Sequence, residues 1–119
     1  MWRVLQVHMN TGWEEGLAGL LRQEPDLEVH NVTYTNESAF LGDVTRIQPD
    51  VILLNEDELL SSTRLRELLA GVPERSAVRI IVLNTRNNII DIVDAHERQQ
   101  VVMTGFEDLT RSIRGAPRA

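Results

Sequence analysis

Residues 49–55 read PDVILLN, and this stretch decides the fold. The four residues that follow Asp50 are all apolar, which is typical of a strand in the middle of a parallel sheet with both faces covered. Proline and aspartate punctuate the chain before the run, and the polar Asn55 ends it. The stretch therefore predicts a central parallel strand, and ligands of such sheets bind beyond the carboxyl ends of the strands.

Four more apolar runs, rich in β-branched residues, alternate with helical patterns along the chain. They lie at residues 4–7, 27–32, 78–83 and 101–103, and only Arg79 interrupts the third of them. This alternation predicts an α/β fold of five βα units with a five-stranded parallel sheet and helices on both faces. The default strand order is 2-1-3-4-5, and a five-unit α/β fold with another strand order is the main alternative.

The composition is that of a globular domain. The 119 residues include 42% hydrophobic and 25% charged residues, no cysteine and no lysine, and the net charge is -6. The acidic balance disfavours a nucleic-acid surface, and the absence of cysteine fits a cytoplasmic location. No apolar run approaches the roughly 18 residues that a membrane span needs. We expect one domain over residues 1–114, with residues 115–119 as a tail or the start of a linker.

Several segments resemble the receiver domains of two-component response regulators. The best of them read EPDLEV at residues 24–29, PDVILL at 49–54 and RIIVL at 79–83. The similarity runs over nearly the whole chain, and the order and spacing of the segments carry it. The resemblance implies a flavodoxin-like (CheY-like) three-layer sandwich with a role in two-component signal transduction or a phosphorelay.

The resemblance also implies a degenerate site. Receivers hold magnesium with an acidic pair after strand one, phosphorylate an aspartate after strand three, and use a hydroxyl and a lysine after strands four and five. An amide cannot replace the carboxylate that acts as nucleophile, and a neutral imidazole and a thioether are poor magnesium ligands. The implied protein is therefore a pseudo-receiver that is not an enzyme and has no metal or other cofactor. The matching positions are His8, Met9, Asn55, Asn84 and Thr104.

A wide apolar arc marks the predicted fourth helix. Ile90 lies about 100° from Ile89 on a helix, so the arc is too wide for one buried face. It indicates a deeply buried or irregular helix, or an exposed patch used for association. In receivers the face of helix four, strand five and helix five is a common dimer surface, with Asp91 and Asp94 available here for reciprocal charge pairs. The residues of this interaction face are Ile89, Ile90, Val93, Val101, Arg111 and Arg114.

These features predict an interaction module that works without phosphorylation. It would bind a protein partner, form a homodimer, or regulate its own output domain at the N-terminus of a longer response regulator or ATPase, with no membrane or nucleic-acid contact. One alternative is a divergent receiver that is phosphorylated at Asp57. The other is a binder of a small neutral polar ligand, in a pocket of His8, Asn10, Asn55, Asn84 and Thr104.

Overall fold

The computed structural model describes residues 1–8, 13–55, 62–71, 78–84, 87–94 and 97–115. Strands occur where β-branched and leucine side chains follow one another, and helices where apolar residues recur every three or four positions. Within these ranges the elements, in chain order, are β1 (Trp2–His8), α1 (Trp13–Arg22), β2 (Leu27–Thr33), α2 (Glu37–Ile47), β3 (Val51–Asn55), α3 (Ser62–Ala70), β4 (Arg79–Asn84), β5 (Ile89–Val93), β6 (Arg98–Val102) and α4 (Phe106–Arg114).

The six strands form one mixed sheet in the order β2-β1-β3-β4-β5-β6. The pairs β1–β2, β1–β3 and β3–β4 are parallel, whereas β4–β5 and β5–β6 are antiparallel. The predicted five-stranded parallel (βα)5 sandwich with strand order 2-1-3-4-5 is therefore wrong. Strand β5 lies where the fourth helix was predicted, and it pairs antiparallel with β4 and β6. The predicted fifth strand corresponds to β6.

The error lies in residues 89–93. Ile90 and Ile92 are buried, and the residues that alternate with them are half-buried on the other face, which is the two-residue period of a strand. β-Branched side chains lose rotamer freedom in a helix and pack well on a pleated sheet. Asn88, just before the strand, has a left-handed φ of 56°, a conformation that asparagine tolerates in turns. The chain therefore turns back beside β4 and does not cross over as a helix.

Helices cover both faces of the sheet. Leu21 of α1 and Ile113 of α4 belong to one buried cluster, and Phe40 of α2 and Leu69 of α3 belong to the cluster on the opposite face. Strands β5 and β6 extend the sheet beyond β4 by antiparallel pairing. As a result, the β6 side chains on the α2–α3 side of the sheet are exposed; they are Arg98, Gln100 and Val102.

Candidate functional site

The carboxyl edge of the parallel strands holds two of the predicted pocket residues. Asn55 ends β3 and Asn84 ends β4, and the register pairs Asn55 with Leu83. The two asparagines therefore lie at the same edge on neighbouring strands. The backbone of His8 ends β1 at this edge as well. The other groups predicted here lie outside the described part of the chain; they are the His8 side chain, Met9, Asn10 and Asp57.

Thr104 has a different role from a pocket hydroxyl, because β5 lies between β4 and the strand that Thr104 follows. Its backbone N–H donates to Oδ2 of Asp108 at 2.8 Å, and its hydroxyl donates to the same oxygen at 3.0 Å. The N–H of Gly105 adds a third hydrogen bond at 3.1 Å. These bonds cap the first turn of α4. They also lower the pKa of Asp108, with the Thr104 N–H as the largest cause.

Replacing Asp108 by asparagine tests this cap through pH. Because the folded pKa of Asp108 is lowered, its stabilising effect is present above the ordinary value of 3.8 and is lost as the pH falls through the folded value. We expect Asp108→Asn to lower the melting temperature at pH 7 and to reduce its fall on acidification below about pH 4. Glu107→Gln removes a charge from the same turn without touching these donors. Equal acid responses in the two variants would contradict the cap.

An apolar cavity of about 480 Å³ opens beside Asn84. Asn84, Asn88 and Gly16 complete a lining that is otherwise apolar. The sequence did not predict this cavity, because its lining comes from α1, the β4–β5 turn and the start of α4, and no local pattern brings these segments together. The apolar lining consists of Leu17, Leu20, Leu83, Ile89, Met103 and Phe106.

Strand β6 is an edge of the sheet, with β5 as its neighbour among the described strands. The N–H of Met103 donates to the carbonyl of Asn88, and the N–H of Asp94 donates to the carbonyl of Glu97. In an antiparallel ladder, hydrogen-bonded pairs alternate with pairs that are not bonded. The intervening β6 residues therefore direct their backbone N–H and C=O groups away from β5; they are Arg98, Gln100 and Val102.

The predicted interaction face is only partly at the surface. Ile90 is completely buried and lies in a strand, so its placement in an exposed helical patch is wrong. Ile89, Val93 and Val101 are half-buried. The exposed apolar side chain of β6 is Val102, at 65% exposure, which the prediction did not include. Because both faces of β5 were assigned to one helix, the prediction could not separate buried from accessible isoleucines.

The charges of this face are already paired within the chain. Arg98 Nε donates to Asp91 Oδ1 at 3.0 Å, and Arg79 Nε donates to Asp94 Oδ1 at 2.9 Å.

The two arginines of α4 are paired as well. Arg114 binds Asp26 at 2.7 Å and Glu24 at 3.1 Å, and its hydrogen bonds lower the pKa of Asp26. Arg111 contacts Asp108 at 3.3 Å and is three-quarters exposed. The charged groups that were predicted to pair between two copies therefore already have partners of opposite charge within one chain.

The chain matches no protein-family model and no curated protein. The resemblance to receivers therefore stays a prediction. Each helix in the described ranges is too short or too polar to cross a bilayer. Among the same residues, no three histidine, aspartate or glutamate side chains are grouped so that they could hold a metal ion.

Proposed function

We propose that the chain is a non-catalytic interaction module that forms a homodimer by pairing the β6 strands of two copies. The observation that carries the proposal is the outward direction of the backbone groups of Arg98, Gln100 and Val102. An edge with unpaired N–H and C=O groups is a template for a further strand. Two copies of one edge satisfy each other when they are related by a two-fold axis.

The sequence of β6 suits antiparallel pairing about Gln100. A two-fold axis at this residue places Gln100 opposite its own copy and Arg98 opposite Val102 of the second copy. By the same symmetry Val102 lies opposite Arg98 of the second copy, which makes three residue pairs. Each pair can exchange two backbone hydrogen bonds. No charged side chain then faces a like charge, which would be destabilising across a strand pair.

Side-chain environment supports the same edge. Asp91 binds Arg98 within one copy, so pairing would not bring two uncompensated positive charges together. Val102, at 65% exposure, would lose water contact against the aliphatic part of Arg98 of the second copy. The proposed interface shares the segments of β5 and β6 with the predicted dimer face. It differs in being the edge of the sheet and not a face that includes a helix.

Three features support an action without phosphorylation. The two described residues at the ends of β3 and β4 carry amides, the hydroxyl of Thr104 caps α4, and the sequence has no lysine. A receiver-like signalling role in the cytoplasm would then rest on association, and dimerisation would bring two fused output domains or two bound partners together.

Gln100→Pro tests the dimer. Proline removes the outward N–H of Gln100 and is tolerated at an edge position whose N–H faces solvent. With two such hydrogen bonds lost per dimer, we expect dimerisation to weaken by about 10- to 100-fold. Analytical ultracentrifugation measures this change, and circular dichroism checks that the fold is kept.

Gln100→Thr is the matched control, because threonine keeps the N–H and favours strands. It should dimerise as the native chain does. A native chain that stays monomeric at high concentration, or a Gln100→Pro variant that dimerises normally, would refute the β6 interface.

A further inference from the structure

We infer that the cavity between α1 and the β4–β5 turn binds a small neutral molecule with an apolar body. Its volume of about 480 Å³ lies within the roughly 300–1,000 Å³ of small-molecule sites. It opens at the carboxyl end of β4, the side on which α/β sheets bind ligands. The inference is independent of the proposed dimer, because the cavity lining contains no β6 residue.

The chemistry of the lining selects the ligand. Six aliphatic, thioether or aromatic side chains form the wall, and the amides of Asn84 and Asn88 are its polar side chains. None of the lining residues that the structure describes is charged. Burial of an ionic group without a partner of opposite charge is strongly unfavourable. The ligand is therefore neutral, and any polar group it carries is one that an amide can bind.

The cavity wall is held by the backbone around it. The Met103 N–H donates to the Asn88 carbonyl at 2.7 Å. This hydrogen bond joins the segment between β6 and α4 to the β4–β5 turn. Leu83 forms a buried part of the wall at 6% exposure, whereas Leu20 lies at the mouth at 47% exposure. A concave site with a buried floor and an open mouth fits a small molecule that enters end-on.

Gly16 and Gly19 of α1 provide a matched pair of variants. Apart from the chain neighbours and the backbone of α1 itself, a Cβ atom at either position would meet nothing within 4 Å, so both positions face open space. Both changes also replace glycine in a helix, which raises helix propensity equally. Gly16 lines the cavity and Gly19 does not. Gly16→Phe should therefore obstruct the site, and Gly19→Phe should leave it open.

The test uses N-phenyl-1-naphthylamine, a neutral probe whose fluorescence rises in apolar surroundings, with the full chain in solution. We expect saturable binding at one probe per chain, unchanged in Gly19→Phe and at least tenfold weaker in Gly16→Phe. The 8-sulfonate derivative of the same probe carries an additional anionic sulfonate group on the same rings and should bind at least tenfold more weakly. Gln100→Pro should bind the neutral probe as the native chain does, which separates this site from the dimer.

Three results would overturn the inference. The first is the absence of saturable binding of the neutral probe, and the second is an equal affinity of Gly16→Phe and Gly19→Phe. The third is tighter binding of the sulfonate, which would indicate a cationic site. Loss of the dimer in Gln100→Pro with retained probe binding would support both proposals.

Discussion

Ile90→Glu should unfold the chain. Ile90 is completely buried in β5, between its cross-strand neighbours Leu83 and Val101. Glutamate there would lose the packing of the isoleucine and would place a carboxylate in an apolar core without a partner. The expected loss is on the order of 5 kcal/mol, which is comparable with the whole stability of a small domain. Thermal melting followed by circular dichroism measures it.

Val102→Glu is the control for this substitution. It also replaces a β-branched residue by glutamate in the same hairpin, but its side chain is largely exposed. Measured in the Gln100→Pro background, which removes the proposed dimer, it should change stability by no more than about 0.5 kcal/mol. A folded Ile90→Glu variant with a native melting temperature would mean that residues 89–93 face solvent, as the predicted helical patch required.

The first four strands could be located from the sequence, because their apolar runs leave little choice of element. PDVILL at residues 49–54 is too short for a typical helix, and both of its faces are apolar, as in a covered central strand. Residues 89–93 are different. Their four β-branched residues around one aspartate fit a buried helix or a strand with two half-covered faces. The signals that favour the strand are the β-branched content and the two asparagines before it, which form a turn.

The candidate sites were harder to predict than the strands. Asn55 and Asn84 follow apolar runs, so their place at the carboxyl edge follows from parallel pairing. The cavity and the β6 edge depend on where β5 is inserted into the sheet, and pairing partners are not encoded in a local pattern. Thr104 is a different case, because its partner Asp108 lies only four residues later and a local capping pattern could have indicated its role.

Replacing Arg79 should give the second large loss of stability. Arg79 is the one polar residue in the apolar run at residues 78–83. Its guanidinium binds both carboxylate oxygens of Asp94 at 2.9 Å, and Nη1 donates to the Ser112 carbonyl at 2.9 Å. The side chain is only 11% exposed. It therefore joins β4 to the β5–β6 turn and to the end of α4. These partners lie 15 and 33 residues away in the sequence, so no local pattern could identify them.

Arg79→Met should destabilise the chain by about 3–5 kcal/mol, because it leaves a partly buried carboxylate without its partner. Methionine keeps an apolar stem of similar length, so the loss reports the guanidinium contacts more than the packing. Chemical denaturation with an unchanged m-value measures the effect.

Arg79→Lys keeps the charge but cannot bind both carboxylate oxygens and the carbonyl in the same planar geometry, so an intermediate loss is expected. Adding Asp94→Leu to Arg79→Met removes the unpaired carboxylate and should recover part of the stability. A loss below about 1 kcal/mol for Arg79→Met is the behaviour of an exposed ion pair. It would mean that Arg79 does not hold the hairpin and α4 together, and that packing of Ile90 and its neighbours alone keeps β5 and β6 in the sheet.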